Sequence, residues 1–389
     1  MIKIFHIADL HLDSPFSLGE IRRSEQGRGR LCEVFRRMMR HVRNEKYDLV
    51  LIAGDLYENG FITEETAALI KSEFELLPCP VVISPGNHDP YIRGSLYSSC
   101  DFSGNVHIFS SENIEKIDFD NLGVSVYGYA FTGSIYRSNP LGGLVTDSSK
   151  INLLCAHTEL NSPLSPYAPM SEGDIEQAGF TYAALGHIHK APQPRNEEGF
   201  AVAYSGFAEG RAFDEIGKGG ALSVSIFETG ARPEIKIEKL SFSGYSFEIL
   251  RQNVSYMRSE DEIAEAVQSS ISQKGYGVNT ALRVILEGQI DMDFAPNTAL
   301  IERRLSAFVD YAEVRDNTLP IASGEALRKD STIRGELYRT LEERMLSGNE
   351  DERRLAGKAL RIGLAALEGR DISSFFEGSA KDEKEEGEA

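Results

Sequence analysis

Five short polar islands, each closing an apolar run, constrain this chain more than any other feature. They are Asp9-Leu10-His11, Gly54-Asp55, Gly86-Asn87-His88-Asp89, Ala156-His157 and Gly186-His187-Ile188-His189. The runs before them, at 2–7, 49–52, 81–83, 151–154 and 182–185, read as strands. Residues at strand ends converge on one edge of a sheet, so islands far apart in the chain can build a single site. Five of the eight histidines lie in these islands, which concentrates the imidazoles where such a site would form.

The residue types point to a chemistry. A phosphodiester is anionic and resists attack by water. Two divalent cations roughly 4 Å apart lower the pKa of a bridging water and clamp the non-bridging oxygens as charge builds. Carboxylate, imidazole and amide donors suit manganese, iron or zinc better than calcium, and the lack of thiolates argues against a structural zinc site. Asp55 is placed to bridge two ions. Asp9 and His11 share one side of a strand end, because residues i and i+2 share a face, and by the same rule His187 and His189 can reach neighbouring ions. The glycines beside them, Gly54, Gly86 and Gly186, permit sharp turns and close backbone approach.

Outside the islands the pattern is that of an α/β protein. An amphipathic helix is expected over 30–45, with Leu31, Val34, Phe35, Met38 and Met39 on one stripe, and Thr63 opens a second that ends before Pro78 and Pro80. Strands dominate 106–129 and again 201–240. A two-sheet sandwich with helices outside follows. After a break near Ser241-Phe242-Ser243-Gly244 the chain reads as a small βαβαβ unit, with strands at 247–254, 282–290 and 311–315 and helices at 260–271 and 298–308. Two further helices follow from Asp330. Ile333, Leu337, Leu341 and Met345 recur every four residues, and Ser347-Gly348-Asn349 stops one helix and caps the next, which carries Leu355, Leu360, Leu364 and Leu367. Such a hairpin cannot bury both stripes alone, so it folds back or meets a partner.

Composition sets limits. No stretch approaches the roughly 20 apolar residues that span a bilayer. The chain opens directly on a strand without a basic, cleavable apolar leader, and Cys32, Cys79, Cys100 and Cys155 show no paired spacing, so a reducing cytoplasm is the expected compartment. Cys155 reads as a small buried filler. The formal charge is −19, from 41 basic and 60 acidic residues, which is awkward for a protein that grips nucleic acid through lysine and arginine. Part of it is local: the stretch 377–389 holds six acids against two lysines and is expected to be disordered. There are no internal repeats and no Walker sequence.

The order D-x-H, GD, GNHD, H, GHxH resembles the calcineurin-like metallophosphoesterases. The closing Gly186-His187-Ile188-His189, followed by Tyr204-Ser205-Gly206 and Phe213-Asp214-Glu215, is similar to their SbcD-type DNA exonuclease branch, and the opening His6-Ile7-Ala8-Asp9-Leu10-His11-Leu12-Asp13-Ser14-Pro15 to its YhaO-like bacterial subgroup. The resemblance covers about 1–245 well. It implies an αββα metallophosphoesterase sandwich over 1–244, a small α+β cap lobe over 245–322 that orients DNA above the metals, and a C-terminal helical hairpin over 323–376, before the tail 377–389. It further implies one ion on Asp9, His11, Asp55 and His189, and a second on Asp55, Asn87, His157 and His187, with manganese the expected metal and iron or zinc possible. His88 is then no ligand but the general acid beside the leaving oxygen.

One position departs from part of the family. Three residues after the bridging aspartate, archaeal and eukaryotic relatives carry a histidine, whereas this chain has Glu58. A carboxylate there pairs with the catalytic histidine in phosphoprotein phosphatases, so Glu58 is expected to orient His88 and raise its pKa. Those phosphatases place an arginine next, and Asn59 stands here, which counts against a phosphoprotein substrate. The resulting expectation is a manganese-dependent nuclease subunit acting on DNA in repair or end processing, able to pair with an SbcC-type coiled-coil ATPase and with itself as a homodimer. A phosphatase or cyclic-nucleotide diesterase on small substrates, and a catalytically idle assembly subunit, are the alternatives. Among the remaining side chains His6 reads as a core histidine, Asp13 as a turn residue or a partner behind the ligands, and His41 and His107 carry no assigned role.

Overall fold

A computed structural model describes residues 1–15, 21–228, 232–291, 294–320, 324–347, 349–367, 369 and 372. The acidic stretch 377–389 and Gly348 lie outside the described residues.

The chain divides into two units, Met1–Ser246 and Phe247–Ala389. In the first, in chain order, come β1 (Ile2–Ile7), α1 (Ile21–Glu45), β2 (Leu49–Ile52), α2 (Glu64–Glu75), β3 (Val81–Ile83), the single turn α3 (Leu96–Ser99) and β4 (Val106–Ile108). There follow β5 (Glu115–Phe119), β6 (Val124–Gly128), β7 (Ile151–His157), α4 (Glu172–Ala178), β8 (Tyr182–Gly186), β9 (Arg195–Glu197), β10 (Phe200–Tyr204), β11 (Gly220–Phe227) and β12 (Glu234–Ser241). They form two six-stranded sheets, ordered β12-β11-β1-β2-β3-β4 and β5-β6-β7-β8-β10-β9. β1 to β4 are parallel in the first sheet, as are β6, β7, β8 and β10 in the second.

Alternation along the strands creates the layers. Ile4, Leu49, Leu51 and Val82 of one sheet meet Leu153 and Ala184 of the other in the inner core. Phe5, Val50 and Ile52 point the opposite way, under Phe35 and Met38 of α1 and Phe74 of α2. On the far side Leu154, Ala183 and Leu185 pack under Ile175 of α4. This is the expected αββα sandwich. A parallel sheet buried on both faces needs apolar residues at nearly every position, which is why these strands read as unbroken apolar runs.

Of the boundaries that differ from the sequence reading, three bear on the site or the unit beyond it. α1 starts at Ile21 rather than near residue 30, because the stretch before Leu31 has no apolar stripe to reveal it. β7 runs on through His157, so that histidine is the last residue of a strand, paired opposite Gly186. The strand expected over 282–290 is divided at Gly288, whose φ of 107° turns the chain.

The second unit contains β13 (Ser246–Asn253, starting on the boundary), α5 (Glu260–Lys274), β14 (Thr280–Glu287), β15 (Gln289–Ile290), α6 (Thr298–Leu305), β16 (Tyr311–Asp316), β17 (Leu319–Pro320), α7 (Gly324–Lys329), α8 (Ile333–Ser347) and α9 (Glu350–Leu367). Ser259 and Asn297 cap α5 and α6 by accepting from Glu262 N and Leu300 N. The strands β13, β14 and β16 form one sheet, with Leu250, Ile263, Val267, Leu282 and Ile301 in its core. In the hairpin, Leu360 and Leu364 are buried with Leu327 and Tyr338, while Leu337 and Leu341 are only partly covered. Arg361 ties α9 to the sheet unit, reaching Asp316 and the carbonyl of Thr318.

Candidate metal centre

In a parallel sheet the carboxyl ends of the strands face one edge, and the loops leaving them build the site there. Here the loops leave β1, β2 and β3 of one sheet, and β7 and β8 of the other. Hydrogen bonds zip the first two together past the strand ends: Asp9 N donates to Gly54 O at 3.1 Å and His11 N to Asp55 O at 2.9 Å. Asn59 N donates to His88 O at 3.0 Å, tying in the third. Asp9, His11, Asp55 and His187 all take positive φ, at 52°, 46°, 52° and 101°. That conformation costs on the order of 1 kcal/mol or more per non-glycine residue and persists only where the surroundings impose it. Gly54 and Gly86 make the close approach possible, since a Cβ on either would collide with the His157 ring or the Asp55 carboxylate.

The ligating atoms converge. Asp55 Oδ2 lies 3.6 Å from His11 Nε2 and 3.3 Å from His157 Nε2. His189 Nε2 is 3.2 Å from His11 Nε2 and 3.9 Å from Asp9 Oδ1. Asn87 Oδ1 is 2.9 Å from His157 Nε2. His187 donates its backbone N–H to both oxygens of Asp9, at 3.1 and 3.2 Å, and its ring lies 5.1 Å from that of His157 and 4.4 Å from that of Tyr167. Potential ligands group as Asp9, His11 and His189, as Asp9, Asp55 and His157, and as His11, Glu58 and His88. All seven positions singled out as ligands therefore belong to one corner of the fold, with His187 entering through its neighbours.

The imidazoles fit a cation in a specific way. His157 Nδ1 lies 2.9 Å from Ala53 O, His189 Nδ1 2.8 Å from Glu215 and His11 Nδ1 3.3 Å from Glu58. Each Nδ1 thus faces an oxygen acceptor, joined at His189 by Arg211 Nη2 at 3.3 Å, which leaves each Nε2 turned inward. Lone pairs of His11 and His189 face one another at 3.2 Å, and that of His157 faces two oxygens. Such contacts repel unless a positive charge sits among them. Donors around a divalent ion at about 2.0–2.2 Å stand about 3–3.5 Å apart, and the pairs here lie between 2.9 and 3.9 Å. Cys155 takes no part: its thiol is buried and lies 3.4 Å from Ile52 O.

Without a metal, protons meet the same demand. Burial alone would lower the pKa of His157, but the Asp55 carboxylate raises it to about 9. Burial likewise pushes Asp55 upward, and the neighbouring imidazolium of His157 overrides it and holds the carboxyl well below its usual range. Asp9 is raised to about 6 by burial, against the pull of His157 and His189. His11 and His187 are both lowered to about 4, chiefly by burial.

His88 stands apart. Its ring is 4.8 Å from that of His11, and its Nδ1 lies 2.8 Å from Glu58 Oε1 while the other oxygen of Glu58 faces His11. The Glu58 hydrogen bond raises the pKa of His88. Glu58 itself is lifted by burial but lowered more strongly by these two histidines, to about 2. One carboxylate thus holds His11 and His88 together.

Three groups at the site carried no role in the sequence reading. Asp89 is fully buried and accepts from the amides of Asp55 at 3.0 Å, Leu56 at 2.8 Å and Gly86 at 2.6 Å, and from the Tyr97 hydroxyl at 2.6 Å. It staples the second island to the third, and its place inside Gly86–Asp89 was the available signal. Glu215 and Arg211 lie behind His189, and Glu215 was visible only as the end of Phe213-Asp214-Glu215. Asp13 is buried and accepts from Thr63 N at 2.8 Å, which anchors the start of α2 rather than a ligand. His6 is a core histidine, bonded to Tyr182 Oη at 2.8 Å, and burial lowers its pKa to about 3. His41 lies 3.2 Å from the Tyr47 hydroxyl, and His107 packs on Phe119, both away from the ligands.

Residues 2–191, which carry every island, match the family model of the calcineurin-like phosphoesterases. Among particular proteins, the chain is 29% identical over 301 residues to the uncharacterized metallophosphoesterase YhaO of Bacillus subtilis, a match covering 74% of this chain and 72% of YhaO. It is also similar to the D component of the SbcCD nuclease of Staphylococcus epidermidis, at 24% identity over 55% of this chain and 63% of the relative. The DNA double-strand break repair protein Mre11 of Saccharolobus solfataricus matches at 25% identity over 57% of this chain and 60% of the relative. The chain thus spans less than two thirds of the last two. Among the described residues no helix is long and apolar enough to cross a membrane.

Proposed function

We propose that this chain is a two-metal phosphodiesterase of the nuclease kind, cutting DNA in repair or end processing. The observation that carries the metal reading is the inward-turned Nε2 atoms of His11, His157 and His189 around the Asp9 and Asp55 carboxylates. Asp9, His11, Asp55 and His189 would hold the first ion, and Asp55, Asn87, His157 and His187 the second. The mixed donors favour manganese, with iron or zinc able to replace it. When bound, the pair supplies Lewis acidity and an activated water.

The chain's own groups do the rest. The inward carboxylates of Asp9 and Asp55 would hold the cation charge at the edge of the sandwich, where an anionic ester can approach. His88, half-exposed and kept protonated by Glu58, hands its proton to the leaving oxygen. Its ring is fixed by Glu58 Oε1, and its backbone N–H donates to Asp55 Oδ1 at 2.9 Å, which holds the acid beside the bridging ligand.

DNA as substrate is supported by the likeness to a nuclease component and a double-strand break repair protein, and by the extra unit Phe247–Ala389 that a minimal esterase does not need. An SbcC-type coiled-coil ATPase is the partner this reading implies, alongside a homodimer, and free thiols at all four cysteines accord with a cytoplasmic setting. The test is purified protein with manganese, assayed on labelled single- and double-stranded DNA and on bis(p-nitrophenyl) phosphate. Degradation of DNA that stops with chelator is expected. Turnover of the small ester alone would move the reading to small phosphodiesters, and no turnover with any metal would leave an assembly subunit.

A further inference from the structure

We propose that Glu215 is the positioning residue of the first metal site, fixing the His189 imidazole with its free nitrogen toward Asp9 and His11, and that Arg211 locks Glu215 in place. This rests on the two-metal reading above.

The need arises from where His189 sits. His157 is the last residue of β7 and fully buried, so the sheet and the Ala53 carbonyl hold its ring. His189 lies three residues beyond the end of β8, and its side chain is 29% exposed. No strand restrains it. The segment after β10 supplies the restraint instead. Phe207 N donates to His189 O at 3.3 Å, Glu215 Oε1 lies 2.8 Å from the ring's Nδ1, and Arg211 Nη2 lies 3.3 Å from the same nitrogen.

Glu215 is itself held hard. Only 2% of its side chain is exposed. Arg211 Nη2 donates to Oε1 at 2.6 Å, Arg211 Nε to the same oxygen at 3.1 Å, and the Arg211 backbone N to Oε2 at 2.7 Å. A buried carboxylate so committed cannot swing toward solvent, and a guanidinium fork defines its orientation as well as its charge. A carboxylate on the far nitrogen of a ligating imidazole sets the tautomer, aims the ring and makes the near nitrogen a better donor. Glu58 serves His11 less closely, at 3.3 Å, because its other oxygen is engaged by His88.

The experiment is a manganese titration of the full chain, followed by the electron paramagnetic resonance of the free ion, for wild type, Glu215→Gln and Glu215→Ala. One of the two ions is expected to bind roughly 10- to 100-fold more weakly in both variants, with the other unchanged. Two ions held as in wild type, or both weakened together, would overturn the proposal. Should the Glu215 variants fail to fold by circular dichroism, Arg211→Lys carries the test, since it keeps the charge and loses the fork. The same weakening of one ion is expected there, and wild-type affinities would overturn the idea. A wild-type chain that takes up no pair of ions would instead remove the two-metal reading, and this proposal with it.

Discussion

The metal corner of the first unit and the helical hairpin of the second both bury side chains, but they are held in different ways. In the corner Asp9, His11, Asp55 and His157 are each at most 2% exposed, although all can carry charge. Their partners come from far along the chain: Asp9 meets the His187 amide, and His11 meets His189, across a sequence separation of 178 in both cases. The hairpin's apolar cluster of Leu327, Tyr338, Leu360 and Leu364 lies within one local stretch, and Leu355 and Leu346 are left about 70% exposed. Buried charge is tolerated only with its full set of partners, so the corner should respond to single changes as a unit. Apolar packing scales with the area covered, so the hairpin should respond residue by residue.

The largest effect expected is at Asp55, the proposed bridging carboxylate. Asp55→Asn removes a charge shared by both ligand groups, and several kcal/mol of transition-state stabilisation corresponds to about three decades or more in kcat/KM. Turnover of bis(p-nitrophenyl) phosphate at saturating manganese, cobalt and zinc should vanish with all three. Rescue by any one of them would show that the corner is not a single unit.

Next comes His88→Ala. Loss of a general acid lowers kcat by about two to four decades. Calorimetry should still count two ions, because His88 is placed outside both proposed ligand sets. A chain that loses an ion with His88 would make that residue a ligand and break the division of labour argued here.

The hairpin should behave otherwise. Leu360→Ala is expected to destabilise α8 and α9 by about 2–5 kcal/mol, read as lost hydrogen-exchange protection. Leu355→Ala should fall within about 0.5 kcal/mol of wild type, since Leu355 is 69% exposed. Equal effects at the two leucines would erase the contrast.

Acid and base should loosen the metal-free corner in opposite directions. Glu58 and Glu215 are both held at about 2 in the folded protein, below the ordinary 4.5, so their stabilisation is present above pH 4.5 and is lost as pH falls toward 2. His157 is held at about 9 against an ordinary 6.5, so its contribution is present below 6.5 and lost as pH rises through 9. Thermal melts of chelated protein from pH 3 to 10 should decline at both ends. Flat melts across either window would contradict the ion pairs described.

The smallest effect expected is at Glu58. Glu58→Gln removes the hydrogen bond that raises the pKa of His88, so the protonated acid is lost at lower pH. The alkaline limb of the kcat profile should shift to lower pH. An unmoved limb would detach Glu58 from the acid.

Much of this molecule is legible from its sequence because the physics that fixes it is local. Apolar runs buried on both faces of parallel strands identify β1, β2, β3, β7 and β8, and the polar islands closing them mark the site. Glu58 was singled out through the family resemblance, three residues after Asp55, and its contact with His88 is as expected. Periodicity, however, reads one element at a time. It could not find the start of α1, which has no apolar stripe before Leu31, nor see that β7 carries His157 to its last pair. Nor could it assign Asp89, Arg211 or Glu215, whose roles exist only through contacts made after folding. The same holds for the hairpin, where the apolar pattern put Leu355 and Leu360 on equal footing and tertiary packing left one exposed and buried the other. The sequence by itself determined the strands, the sandwich and which residues can bind a metal. Which nitrogen of each imidazole faces inward was decided only in the tertiary structure, because that depends on an acceptor brought to the far side of the ring from another part of the chain.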